Sequence, residues 1–369
     1  MLIFPAYTKI PNPDPLSMKK HYPVLDGLRG TVAILVLLSR MLEAYYADAD
    51  NPMHHGYLGV DFFYVLSGFG VGYAYDDRWG KMKVKDFLKI RLIRLHPLVV
   101  LSAVVGALCY WFDPYTGGAS WVNPLKFIVT VFISFTLLPT PDVRGLHETH
   151  SLNATTWSLF NLYIVNLMYV VFGHRLSKTL LWVVVSLSGI ALIVAVLHEG
   201  TVGIGWDYPT AWMGVIRVTF PFFAGLLLFR SGKIIKIPMA LALCTIVLAV
   251  CLSLPTSSQF MGLYELACIF ILFPLVVAIG AGSQISGHWA RLCSFAGAIS
   301  YPVYILHYPF VGVFTMWGRS QHATGTQVLL VGSALFVFII ALSWASLKFY
   351  DEPVRAWLKR KYLAEEAES

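Results

Sequence analysis

Eleven apolar runs of near-spanning length follow one another along this chain. They lie at about 24–46, 57–75, 97–112, 124–139, 156–173, 179–198, 211–229, 237–254, 260–281, 294–317 and 326–347. A bilayer offers the backbone no water, so such runs fold as helices that satisfy their own N–H and C=O groups. Only 13% of the residues are charged, against roughly a quarter in a soluble domain. The sequence therefore predicts an all-α, polytopic transmembrane helix bundle with no separate soluble domain and no internal repeat. Its expected divisions are an N-terminal segment (1–22), one membrane domain (23–348) and a C-terminal tail (349–369).

Charge placement orients the bundle. Seven of the 27 Lys and Arg fall in one stretch, Arg78, Lys81, Lys83, Lys85, Lys89, Arg91 and Arg94. Lys348, Arg355, Lys359, Arg360 and Lys361 form a second cluster near the end. With Lys19 and Lys20 they predict cytoplasmic N- and C-termini in a multi-pass inner-membrane protein. Both termini inside requires an even number of crossings. The basic stretches 174–178 and 230–236 are also placed inside, which leaves 140–155 outside. The parity conflict falls on 97–139, where one of two short runs is expected to be re-entrant, and the count becomes about ten spans. The residues before Tyr22 lack the apolar core and cleavage site of a signal peptide. Basic residues beside a membrane favour lipid headgroups over nucleic acid as partner. The five cysteines show no metal or disulfide spacing and read as small core residues, so no metal is expected.

The first run carries two arginines, Arg29 and Arg40, eleven residues apart. On a helix that is three turns plus about 20°, so both share one face, roughly 16 Å apart along the axis. Charge at membrane depth is costly, at least ~2.5 kcal/mol per residue, and marks a site or pathway unless the side chain snorkels to an interface. Asp61 in the second run needs a partner. Arg29 and Arg40 are the candidates, either in a structural ion pair or in a site that orients an acceptor hydroxyl. Gly59 and Gly68 read as close-packing positions. His307 lies within an apolar run, where a hydrogen-bonded core histidine is the common case. His54 and His55 fall in an outer loop and read as solvated, within reach of a glycan.

The sequence Leu25-Asp26-Gly27-Leu28-Arg29-Gly30, then Gly59-Val60-Asp61-Phe62-Phe63-Tyr64-Val65-Leu66-Ser67-Gly68-Phe69, then a basic loop with Arg91-Leu92-Ile93-Arg94-Leu95-His96-Pro97, resembles the membrane-bound acyltransferase family 3. Later echoes are Thr156-Trp157-Ser158-Leu159, Phe220-Pro221-Phe222-Phe223-Ala224-Gly225 and Ser300-Tyr301-Pro302-Val303-Tyr304-Ile305-Leu306-His307. The resemblance covers almost the whole chain after Tyr22. It implies an enzyme that takes an acyl group, commonly acetyl, from cytoplasmic acyl-CoA and passes it to a hydroxyl of a saccharide or lipid-linked acceptor. Arg91 and Arg94, one turn apart, are then candidates to hold the CoA phosphates bidentately. For Lys81, Lys83, Lys85 and Lys89 contact with anionic lipid is the simpler reading.

Two departures from the family pattern stand out. The family carries a histidine, regarded as the catalytic base, eleven residues after the arginine of its first motif; here that position is Arg40. Arginine stays protonated and only donates, so it cannot take an acceptor proton. The family's W-S-L-x-x-E reads Trp157-Ser158-Leu159-Phe160-Asn161-Leu162, with Leu162 where an acidic residue is expected. The resemblance thus places Arg29, Arg40, Asp61 and Leu162 at catalytic positions, with Glu43, Tyr304 and His307 as substrate or helper candidates. Glu43 is the nearest partner for Arg40. Three readings follow: an acyltransferase using another base (Glu43, Asp61 or His307), an acyltransferase scaffold with turnover severely reduced, or a transporter of small molecules or lipid-linked sugars. The chemistry favours reduced turnover, which restoring Arg40→His with Leu162→Glu should raise. Specificity is expected in the outer segments 47–56, 113–123, 140–155 and 199–210. The aromatics in or beside them, with Trp111, Tyr115, Trp121, Trp206 and Tyr208 among them, either stack on sugars or form an interfacial belt.

Overall fold

The computed structural model describes residues 21–46, 50–80, 82–115, 123–255 and 259–363. Lys19, Lys20, Lys81 and Trp121, named above, lie outside them. The protein is 76% helical, with no strand among the described residues. Its helices are α1 (Pro23–Leu42), α2 (Gly59–Tyr75), α3 (Val84–Trp111), α4 (Pro124–Ser134), α5 (Thr156–Val171), α6 (Lys178–Glu199) and α7 (Met213–Ser231), then α8 (Ala240–Ser253), α9 (Met261–Ala267), α10 (Phe273–Gly282), α11 (Gly287–Ser320), α12 (Gly325–Ala345) and α13 (Glu352–Leu363). Each of the eleven apolar runs contains a helix. π-helical turns at Cys268–Leu272 and Ser346–Asp351 join α9 to α10 and α12 to α13.

Five helical stretches are long and apolar enough to cross a membrane: α3, α6, α7, α9–α10 and α12–α13. At 20 residues α1 has the length, but it carries Asp26, Arg29 and Arg40. The stretch 97–112 is the second half of the 28-residue α3, whereas α4 has 11 residues, roughly 16 Å, and is too short to span. The basic stretch around Arg91 and Arg94 is not a loop. It forms the first turns of α3, which runs on through Pro97. The tail begins as α13, which continues α12 and packs on α3, where Lys89 Nζ meets the Tyr362 carbonyl at 3.4 Å.

Lipid tails are as apolar as leucine, so close packing rather than water exclusion must hold such helices together. Glycine supplies it. Gly27 and Gly30 of α1 press against Cys293 and Ala296 of α11, and Gly297 meets Asp26 and Arg29. Gly68 of α2 lies against the Phe222 carbonyl of α7, and Gly225 against the Val65 carbonyl; a Cβ at either would overlap backbone. The α2–α7 pair and the α1–α11 pair thereby form the centre, around buried Phe62, Phe63, Phe222, Phe223 and Phe273. Leu187, Ile190 and Val194 of α6, and Leu329, Leu330 and Val337 of α12, are exposed on the outside, as a lipid-facing surface requires.

Candidate active site

At the end of the bundle where α1 finishes, a cavity of about 540 Å³ opens, within the range of small-molecule sites. Ser39 and Arg40 line it from α1, Glu43 from the residue just past its end, Trp157 from α5, Arg217 from α7, and Tyr304 and Tyr308 from α11. The segments 50–58, 140–155 and 199–210 close over it, contributing His54, Tyr57, Leu146, Glu148, Thr155, Thr201 and Trp206. Three of the four segments expected to carry specificity therefore meet at one mouth.

Arg40 is 37% exposed there and donates from Nη1 to Glu43 Oε1 at 2.8 Å, one helical turn on, as their spacing predicts. Tyr304 shares a 2.7 Å hydrogen bond with the Ser158 hydroxyl. Asp61 departs from expectation. It pairs with neither Arg29 nor Arg40, because Arg217, 156 residues away in sequence, reaches it first. Arg217 Nε and Nη2 donate to the two Asp61 oxygens at 3.0 and 2.7 Å, and both side chains are buried. The same guanidinium lies 5.3 Å over the Trp157 ring. Both Asp61 oxygens being occupied, it reads as the lock between α2 and α7.

Arg29 lies elsewhere. It is buried near the start of α1, donating to Asp26 at 2.8 Å and to the Gly297 carbonyl at 2.7 Å. Arg29 and Arg40 therefore do not share one site. Leu162 is buried in the apolar core and does not line the cavity; its carbonyl accepts from Asn166 at 2.6 Å. Asn166 in turn accepts from Arg91 Nε and Nη2 at 3.0 and 2.7 Å, so the Arg91 fork is engaged with α5. Arg94 lies within electrostatic reach of Arg29, Arg91 and Arg355, and Arg355 acts likewise on Lys359. Together they make a basic cluster of α3 and α13, with Arg355 also on Asp351 at 2.9 Å. His307 is buried beside the cavity without lining it, its Nδ1 on the Val303 carbonyl at 3.1 Å. His55 is not solvated: it is fully buried, 3.7 Å from Glu265. His54 lines the cavity, with Nε2 at 3.4 Å from the Met261 sulfur.

Two residues escaped sequence reading. Arg217 was legible, being an arginine inside an apolar run like Arg29 and Arg40. Glu148 was not, because no periodicity marks a loop carboxylate. The loop that carries it is built firmly. Thr140 and Thr149 pair at 2.7 Å, Asp142 accepts from the N–H groups of Arg144, Gly145 and His147, and Asn153 reaches the Ile305 carbonyl at 2.7 Å. Glu148 Oε1 accepts from Tyr308 at 2.6 Å. Burial pushes its pKa above the usual carboxylate range, against the opposing pull of the Tyr308 hydroxyl, Arg144 and Arg40.

The model of a family described as an acyltransferase domain matches residues 22–348. The chain belongs to this acyltransferase 3 family. Its members are enzymes that transfer acyl groups other than aminoacyl groups. Relatives of this acyltransferase include Protein 2 in the picA locus of Rhizobium radiobacter, 31% identical over 48% of the chain and 96% of the relative. The peptidoglycan O-acetyltransferase OatA of Listeria monocytogenes is 24% identical over 91% of the chain and 56% of its own length. The O-acetyltransferase OatA of Staphylococcus aureus is 25% identical over 91% and 57%. The chain thus spans just over half the length of these O-acetyltransferases. No solved structure matches it.

Proposed function

We propose that this chain is a ten-span inner-membrane acyltransferase with cytoplasmic termini. It moves an acyl group, acetyl before others, from cytoplasmic acyl-CoA to a hydroxyl of a saccharide or lipid-linked envelope acceptor. The observation that carries this reading is the cavity at the far end of α1, where Trp157 and Tyr304 of the family motifs meet Arg40. Its wall offers aromatic faces (Trp157, Trp206, Tyr57) on which a sugar ring can stack, and hydroxyl and carboxylate groups that can orient it. Arg94, Arg355 and Lys359 at the other end suit the phosphates of CoA, since guanidinium and ammonium groups bind them by charge-assisted hydrogen bonds. Arg91 supports that cluster from behind through Asn166.

Turnover is reduced in this chain. The guanidinium at position 40 offers only donors, and its bond to Glu43 occupies one carboxylate oxygen as well. That pairing also favours a second reading, a scaffold that binds both substrates without turning them over. Transfer of labelled acetyl from acetyl-CoA to envelope glycans, in membranes bearing the native chain or Arg40→His, separates the two. An imidazole contributes roughly 100-fold or more over a site with no base, so Arg40→His should raise the rate above a measurable native rate. A rate that Arg40→His leaves unchanged would remove position 40 from the proton chemistry. Leu162→Glu is a poorer companion, since position 162 is enclosed by apolar core.

A further inference from the structure

We propose that Glu148 takes the proton from the acceptor hydroxyl in this chain, in the place of the imidazole that position 40 lacks. This rests on the acyl-transfer reading above. Two carboxylates, Glu43 and Glu148, are in the cavity wall. Glu43 is bound to Arg40, a permanent cation that holds it as a counter-ion. Glu148 is 4% exposed; Tyr308 holds its Oε1, and its Oε2 has no hydrogen-bond partner. A buried carboxylate oxygen without a donor is a rare arrangement that a ligand hydroxyl would complete. The other buried acids at this end differ. Arg217 occupies both oxygens of Asp61, and Tyr57, Thr201 and the Val202 N–H surround Glu265.

Burial also gives Glu148 a proton affinity above that of an ordinary carboxylate, which suits a base working near neutral pH. The groups that face it are Tyr308 from α11, Arg40 from α1, and Arg144 and Asp142 from its own loop, while its backbone bridges to Asp207. In the reaction, the acceptor O–H proton passes to Glu148 Oε2 as the acceptor oxygen bonds to the carbonyl carbon of an acyl thioester. The carbon–sulfur bond breaks, the thiolate leaves, and it takes the proton back from Glu148. The carboxylate is restored and no other reactant is needed. His307 also has a buried nitrogen, Nε2, without a partner, but it is not in the cavity wall.

The test compares Glu148→Gln and His307→Gln in the native and Arg40→His backgrounds, with acetyl-CoA as donor, envelope glycans as acceptor and a pH profile for each. Glu148→Gln should lower native transfer by about 100-fold with the KM for acetyl-CoA unchanged. In the Arg40→His background it should cost less than about tenfold, because the imidazole takes the proton. Tyr308→Phe removes a donor that stabilises the ionised carboxylate, so the acid limb of the native profile should move to higher pH. Equal losses from Glu148→Gln in both backgrounds, with an acid limb that Tyr308→Phe leaves in place, would assign Glu148 a structural role and overturn the proposal. So would a native rate that Glu148→Gln leaves intact, a loss confined to His307→Gln, or transfer by Arg40→His alone. Absence of transfer in both backgrounds would overturn the acyl-transfer reading itself, and this proposal with it.

Discussion

Asp61→Leu would leave the Arg217 guanidinium buried at 1% exposure without its anion. Two hydrogen bonds of 3.0 and 2.7 Å would go with it, and the Tyr57 and Ile204 carbonyls, each 3.3 Å away, are too few to replace a charge. Removing one member of a buried pair costs about 3–5 kcal/mol. For a chain of this length that is roughly 4–6 °C in the melting midpoint. Arg217→Met should cost a similar amount by stranding Asp61. The double variant Asp61→Leu/Arg217→Met replaces the pair with apolar groups and should recover at least half of either loss, because desolvating two charges offsets most of their attraction. The assay is a thermal midpoint in mild detergent for the four members of the cycle, with retention of a monodisperse peak as a check on folding. A coupling of about 2 kcal/mol or more is expected. Additive losses would refute the view that Asp61 is a lock between α2 and α7, and would return it to the candidates for proton chemistry.

Two further outcomes follow from the placement of charge. Arg94→Gln should raise the KM for acetyl-CoA about tenfold with little change in stability, whereas Arg91→Gln, which breaks the fork on Asn166, should lower the melting midpoint first; steady-state kinetics and a melting curve distinguish them. His150 is buried in the loop over the cavity, and desolvation lowers its pKa to about 4 despite its bond to the Leu137 carbonyl. The folded loop keeps this imidazole neutral while an unfolded one protonates near pH 6.5. Loop stability should therefore be complete above pH 6.5 and fall as pH drops toward about 4, by up to about 3 kcal/mol. Hydrogen exchange of residues 140–155 at pH 7 and pH 5 reads this, and His150→Gln should flatten the difference.

The fold was legible because a membrane permits so few backbone solutions: the apolar runs from 24–46 to 326–347 each contain a helix. What escaped was how runs meet. The Arg91 stretch looked like a loop because its charges mask the period of α3, and the 124–139 run looked span-like although its helix ends at Ser134. Local geometry was readable, as in Arg40–Glu43, where three residues on a helix are neighbours. Distant geometry was not. Asp61 has its partner 156 residues away, and nothing in the sequence ranks Arg217 above Arg29 or Arg40. Glu148 reaches the cavity only because Thr140, Asp142 and Asn153 fold its loop inward, and one sequence carries no trace of that.

The most direct measurement gives acetyl-CoA to one face of sealed vesicles bearing the Arg40→His chain and a saccharide acceptor to the other. Acetylated acceptor should form only when acetyl-CoA meets the face of Arg94, Arg355 and Lys359 and the acceptor meets the face where the α1 cavity opens. Transfer from the opposite arrangement alone, or from neither, would contradict the account.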